Sequence, residues 1–405
     1  MSVSKAQSFS GVGRRDFIYG TAATAVAGGL LTATPSRADA ATPSGSLGPM
    51  NVVGMANFDT SGSFRPHRFQ RRPVRADDVQ VRIDFSGVCH SDIHTAHGDW
   101  GPQHYPLVTG HEMAGVVTAV GAEVSRFKVG DRVGVGTYVD SCRTCEECRA
   151  GREQYCINSA LFTYGNPIPS YADAADYPGG YPKGGYSTGI VVRENYVYPI
   201  PKEIDLKHAG PIMCAGVTVW SALRNWDIAR GSRVGILGVG GLGHLAIQLA
   251  HALGAEVTGF TTSAEKKSDI RRFGAADVVV NSDPDQMAKY TRHFDFILDT
   301  IPATVPLDPY LSLLKRGGTL CRVGIDKTTI ANEFGAFSLT SAQNSLAGSN
   351  VGSVRETHEV LQFAARYGIR PQVQVVPARQ VGTVWPKVVD KAARYRFVLD
   401  MSDLR

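Results

Sequence analysis

The stretch "RVGILGVGGLGHLAIQLAHALGAEVTGF" spans residues 233–260 and decides the fold of the middle of the chain. Its opening residues, 233–237, read as a short strand. The run Gly238-Val239-Gly240-Gly241-Leu242-Gly243 breaks it with a tight turn. From Leu245 onward apolar residues recur at helical spacing, and "AEVTGF" opens a second strand. The G-x-G-x-x-G of Gly238, Gly240 and Gly243 is common by itself, but between a strand and a helix it marks a dinucleotide-binding turn. In that reading Gly238 permits the turn, Gly240 lets a pyrophosphate approach the backbone, and Gly243 lets the helix pack closely. The helix N-terminus then faces the phosphates. "DVVV" (277–280), "FDFILD" (294–299) and "GTLCRVG" (318–324) continue the alternation, which predicts an α/β fold with a doubly wound parallel sheet.

The end of the second strand selects the cofactor. An NAD site needs an acidic residue there to hold the ribose 2′-hydroxyl. This strand runs instead into "FTTSAEKK" (260–267), where Thr261, Thr262 and Ser263 offer hydroxyls and Lys266 and Lys267 lie close. That chemistry suits the 2′-phosphate of NADP(H). Glu265 is the only nearby acid, and the lysines also fit a solvated helix face.

The chain holds seven cysteines. Cys142, Cys145, Cys148 and Cys156 share the loop "CRTCEECRAGREQYC", a C-x2-C-x2-C-x7-C pattern. Four thiolates so close can converge on one tetrahedral Zn2+, whereas nested disulfides in so short a loop would be strained. An iron–sulfur cluster or two disulfides are the alternatives. With all four positions taken by sulfur, such a zinc is structural. A second set is dispersed: Cys89 in "GVCHSDIH", His111 and Glu112 in "TGHEMAG", and Cys214 in "PIMCAG". Two thiolates and an imidazole leave a zinc position open for a carbonyl or alkoxide oxygen. Singly, each of these residues would read as a buried cysteine or core histidine.

In this order the strings resemble those of zinc-dependent medium-chain alcohol dehydrogenases, from about residue 50 to the C-terminus. "GGYSTGIVV" (184–192), "PIMCAGVTVW" (211–220) and "RYRFVLD" (394–400) resemble the cinnamyl alcohol dehydrogenase branch, which includes broad-range bacterial aldehyde reductases. The resemblance implies a Rossmann sheet over 209–351 inserted in a β-rich, GroES-like zinc catalytic domain over 41–208 and 352–405. "VQVRIDFSGV" (79–88), "EMAGVVTAVG" (112–121) and "YRFVLDM" (395–401) read as strands of the latter. The implied reaction is reversible hydride transfer between NADPH and an aldehyde, with two Zn2+ per chain.

The resemblance also assigns roles. Ser91 places its hydroxyl beside the reacting oxygen, and the proton leaves through the cofactor ribose to His94. Asp92 orients the metal ligand His111, and Glu112 is an alternate ligand. His90 and Ser91 reach the cofactor, as do the turn residues Gly238 to Gly243 with Val239, Gly241 and Leu242. Thr300, Gly324, Ser349 and Val351 line its nicotinamide side. Trp100 is expected as a wall of the substrate pocket, although a lone Trp also suits a core. Two other readings compete: a zinc- and NADPH-binding redox sensor without turnover, and the zinc-free quinone reductase relatives of the same fold. A homodimer is the family's expectation.

At the N-terminus, "GRRDFIYGTAATAVAGGLL" (13–31) sets Arg14-Arg15 before an uncharged stretch that leads to Ala38-Asp39-Ala40. This layout predicts a removable export signal over 1–40, and the arginine pair resembles the twin-arginine address read by that export machinery. A periplasmic or otherwise exported enzyme follows; a plain N-terminal tail on a cytoplasmic one is the alternative. The stretch is too weakly apolar for a membrane anchor. With 42 Lys and Arg against 37 Asp and Glu, and no run of like charge, nucleic acid is not an expected partner. The expected partner is a small aldehyde or alcohol.

Overall fold

A computed structural model describes residues 48–326, 334–390 and 392–405. The export signal expected over 1–40 lies outside the described residues. The described residues form one compact unit. No helix among the described residues is long and apolar enough to cross a membrane.

The expected doubly wound sheet is present. Its six strands are all parallel, in the spatial order Asp277–Val280, Glu256–Thr261, Arg233–Leu237, Phe294–Asp299, Leu314–Arg322 and Ser345–Gly348. The order runs outward in both directions from the Arg233–Leu237 strand, so two crossovers diverge at its C-terminal end and leave a crevice there. Val234, Ile236 and Leu237 are buried, as a central parallel strand requires. The Gly243–Ala252 helix covers one face and buries Leu245, Ile247 and Leu249.

A second, seven-stranded sheet is mostly antiparallel. Its order is Val373–Pro377, Arg396–Asp400, Asp78–Gly87, Met113–Val120, Arg132–Val135 and Val197–Pro199, with Gly189–Arg193 also paired to Asp78–Gly87. The C-terminal strand thus returns to lie against the strand that leads into Cys89: Val398 pairs with Gly87. Between the two sheets in sequence, a π-helical turn over Ile212–Gly216 carries Cys214 and is buried throughout. Such turns interrupt a helix and re-aim side chains, commonly at functional sites. The Val354–Tyr367 helix packs on this turn and on the Val217–Asn225 helix. Its start is fixed by a reciprocal cap: Ser353 Oγ accepts from Glu356 N–H at 3.1 Å, and Glu356 Oε2 accepts from Ser353 N–H at 2.8 Å.

Candidate active site

The His90–His97 helix begins the site. Cys89 is its N-cap, and the Asp92 carboxylate accepts from Cys89 N–H at 2.9 Å. Asp92 is fully buried and does more than cap. It also accepts from Gly110 N–H at 2.9 Å and Tyr186 O–H at 2.8 Å, and lies 3.2 Å from His111 Nδ1. Tyr164 Oη lies 2.9 Å from the same Nδ1. With Nδ1 committed on that side, Nε2 faces the sulfurs, 3.1 Å from Cys214 Sγ. Cys89 Sγ and Cys214 Sγ stand 3.9 Å apart. One donor atom each from Cys89, His111, Glu112 and Cys214 falls within 4.8 Å of the others, all buried.

This donor set fits Zn2+. Around a tetrahedral zinc with Zn–S near 2.3 Å and Zn–N near 2.0 Å, neighbouring donors stand about 3.5 to 3.8 Å apart. The oxygens of Glu112 are buried without a well-formed hydrogen bond, with Arg396 Nη2 3.0 Å from Oε1. Burial pushes the Glu112 carboxyl up to about 7, against the pull of Arg396. Room for that carboxylate comes from Gly87, where a Cβ would sit 1.9 Å from Glu112 Oε2.

The four-cysteine loop forms its own cluster. Its sulfurs lie within 4.8 Å of one another, Cys142 Sγ and Cys148 Sγ being 3.9 Å apart. All seven cysteines are free, and 3.9 Å is nearly twice a disulfide bond. Backbone N–H groups of Cys145 and Cys148 point at the sulfurs of Cys142 and Cys145 at 3.4 and 3.5 Å, stabilising thiolates. Burial pushes the Cys142 thiol up, but the donors around it, Thr144 N–H foremost, hold it down to about 5. A closed tetrahedral zinc site suits these four thiolates.

Ser91 is half-buried and its Oγ lies 3.7 Å from Cys89 Sγ, which puts its hydroxyl at the edge of the dispersed cluster. His94 lies one turn on in the same helix, with Nδ1 2.8 Å from Asp99 Oδ2 and Nε2 buried without a partner among the described residues. The Trp100 ring lies 5.2 Å from the His94 ring, and its Nε1 donates to Asp326 O at 3.0 Å. His90 is half-buried on this helix, its ring 6.3 Å from that of His94.

The glycine turn fits a dinucleotide. Gly238 has φ of +80°, a conformation that favours glycine. A Cβ at Gly243 would stand 2.2 Å from Gly238 O, so helix and strand approach there too closely for a side chain. At Gly240 a Cβ would meet nothing within 4 Å, which is where a ligand needs the backbone bare. Thr300 is turned inward: its hydroxyl donates to Gly238 O at 2.6 Å and so supports the turn from beneath. Thr261 is also turned inward, with Oγ1 accepting from Ser263 N–H at 3.1 Å, while Thr262 is exposed and Ser263 half-buried. Lys266 Nζ reaches Val239 O at 3.5 Å, and a Cβ at Gly324 would stand 2.4 Å from Ile301 O. Ser349 Oγ is buried without a partner among the described residues, and Val351, also buried, has φ of +34°. A β-branched residue with positive φ is strained, and such strain clusters at ligand sites.

Two domain families match the chain: residues 75–202 match the alcohol dehydrogenase GroES-like domain, and 241–366 the zinc-binding dehydrogenase domain. The NADP-dependent alcohol dehydrogenase C 1 of Mycolicibacterium smegmatis is 44% identical over 335 residues, covering 83% of this chain and 93% of that one. The chain belongs to the zinc-dependent alcohol dehydrogenases. Among solved structures, a cinnamyl alcohol dehydrogenase of Sorghum bicolor superposes with a TM-score of 0.82 at 37% identity, covering 88% of this dehydrogenase and 99% of its own chain. A CAD of Helicobacter pylori complexed with NADP(H) gives 0.81 at 34%, covering 88% and 100%.

Several residues of the dehydrogenase site have no local signal in its sequence. Tyr164, Tyr186, Asp99 and Arg396 hold His111, Asp92, His94 and Glu112 respectively. Arg396 lies in the C-terminal strand; it donates through Nη1 to Val88 O at 3.1 Å, and its Nε is 3.2 Å from where a Gly241 Cβ would be. It therefore links the metal-ligand cluster to the glycine turn.

Proposed function

We propose that this dehydrogenase reduces aldehydes reversibly to primary alcohols with NADPH. The observation that carries the reading is the buried Cys89, His111, Cys214 donor set, with the Ser91 hydroxyl at its edge and Arg396 joining it to the glycine turn. When bound, zinc supplies Lewis acidity to a carbonyl oxygen and NADPH supplies the hydride. The chain's own part is positional and acid–base. Asp92 fixes the Nδ1 side of His111, so that Nε2 carries the lone pair a metal needs. Ser91 presents a hydroxyl where the product oxygen takes up a proton. His94, oriented through Nδ1 by Asp99, holds Nε2 towards the relay and replaces that proton. The hydroxyls of Thr262 and Ser263 with Lys266 favour the 2′-phosphate, and the NADP(H)-linked names among relatives support this preference.

With the purified chain, NADPH absorbance should fall steadily on adding an aromatic or aliphatic aldehyde and stay flat without one. NADPH binding with no turnover across such a panel would leave the redox-sensor reading instead.

We further propose that residues 1–40 direct export of the folded enzyme. Six of the seven cysteines belong to the two clusters, and loose thiols crossing unfolded into an oxidising compartment would pair wrongly. Folding and metal loading therefore come first, an order that a twin-arginine signal permits. In fractionated cells the native chain should appear outside the cytoplasm, shortened to begin near Ala41, while a form with Arg14 and Arg15 both changed to Lys should stay inside at full length. Retention of both forms at full length would reduce the segment to a tail.

A further inference from the structure

The adenosine end of the glycine turn is built by two parts of the chain, only one of which belongs to the parallel sheet. His244, the second residue of the Gly243–Ala252 helix, is fully buried. Its Nδ1 lies 3.0 Å from Gly240 O, its Nε2 accepts from Gln372 N–H at 3.2 Å, and its ring stacks on Tyr395 with centroids 5.2 Å apart. Gln372 Nε2 in turn donates to Arg394 O at 3.3 Å. The backbone at 394–395, from the C-terminal segment, is thereby pinned against the base of the turn.

The side chains there are mostly cationic. Lys266 Nζ is 3.5 Å from Val239 O in the turn and 6.0 Å from the centre of the Tyr395 ring. Arg394, next in the chain to Tyr395, points to the same corner: its Nη2 is 3.9 Å from Glu265 Oε2, too long for a hydrogen bond. Its Nη1 is buried and has no hydrogen-bond partner among the described residues. The nearby Asp269 is otherwise engaged, by Arg272 at 2.7 Å and by Tyr395 O–H at 2.9 Å. Glu265, 86% exposed, stands two residues beyond Ser263, where its charge would repel a 2′-phosphate.

We infer that Arg394 is a cofactor-specificity residue: its guanidinium draws Glu265 aside and donates an N–H to the 2′-phosphate of a 2′-phosphorylated adenosine. The inference rests on the NADP(H) reading above and adds to it a phosphate ligand from outside the nucleotide-binding sheet. A guanidinium beside a phosphate makes a charge-assisted hydrogen bond, roughly twice as strong as a neutral one. The fork also keeps one N–H for the carboxylate and another for the phosphate, which an ammonium on a flexible stem does less well.

The test is binding of 2′,5′-ADP and of 5′-AMP to the whole zinc-loaded chain by titration calorimetry. R394Q should weaken 2′,5′-ADP by about 10- to 100-fold, the loss of one charged hydrogen bond, and leave 5′-AMP unchanged. R394K should recover only part of the loss. Unaltered 5′-AMP affinity and zinc content report an intact fold in each variant. Wild-type affinity of R394Q for 2′,5′-ADP would overturn the inference. So would full recovery in the double variant R394Q with E265Q, since Arg394 would then act as a counter-ion to Glu265 alone. If the unaltered chain binds the two nucleotides equally, the NADP(H) reading itself fails, a result distinct from either.

Discussion

Exchanging Cys214 for Ser is expected to lower aldehyde turnover by roughly three orders of magnitude or more, since several kcal/mol of charge stabilisation depends on the metal that this sulfur helps to hold. The loss should be local. Cys214 sits in a π-helical turn whose neighbours Ile212, Met213 and Ala215 are buried apolar residues that the exchange leaves in place. Serine has nearly the same shape, so no sizeable cavity opens. A neutral hydroxyl is a poor substitute for a thiolate towards zinc, and His111 Nε2 would lose the sulfur now 3.1 Å away. The four-cysteine loop contributes no atom to this cluster and should keep its own ion. The measurement is zinc per chain together with the rate: two zinc and full activity before the exchange, one zinc and almost no activity after it, with the circular dichroism spectrum unchanged. A variant that keeps both zinc ions and full activity would remove Cys214 from the site.

How much of the site is legible in the sequence follows from sequence distance. The four-cysteine loop declares itself because its ligands lie within fifteen residues and converge by local turns alone. The glycine turn is legible for a similar reason: strand, turn and helix are consecutive, and each glycine answers to a separate local need, a positive φ, a bare backbone or a close approach. The dispersed set is different. Cys89 and Cys214 are 125 residues apart, so spacing is silent, and only the resemblance of the surrounding strings draws them together. The groups that hold these ligands give no sign of themselves. Tyr186 reaches Asp92 across 94 residues and Arg396 reaches Val88 across 308, because the Gly189–Arg193 strand just after Tyr186 and the C-terminal strand both return to pair with the strand leading into Cys89. Such pairings are products of sheet order, and a tyrosine or arginine in a strand looks alike whether it supports a ligand or a core. Thr261 and Thr300 teach the converse. Their hydroxyls stand at the expected positions in the chain, but both are spent on the backbone of the turns they belong to or support.

That distinction shapes the cofactor experiment, in which Thr262 is exchanged for Asp and Ser263 for Ala. Thr261 is the wrong target, since its Oγ1 already accepts from Ser263 N–H and the residue is buried. Thr262 is exposed at the end of the Glu256–Thr261 strand, the place where an NAD site carries its acid. A carboxylate there repels the 2′-phosphate and accepts from the 2′-hydroxyl, so it acts on the two cofactors in opposite directions. Removing the Ser263 hydroxyl withdraws a donor from the phosphate only. Together these should swing the NADPH-to-NADH ratio of kcat/KM by about 100-fold or more, because NADPH forfeits one charged hydrogen bond while NADH acquires another, each worth roughly tenfold. The swing should fall mainly on KM, because the adenosine end is remote from the reacting carbon and binds ground and transition states alike. Lys266 and Arg394 remain in the variant, so NADPH is weakened without being shut out, and the rate with saturating NADPH should stay near that of the unaltered enzyme. A chain that prefers NADH before any exchange, or a variant whose ratio does not move, would show that the hydroxyls and cations at this strand end do not choose the cofactor.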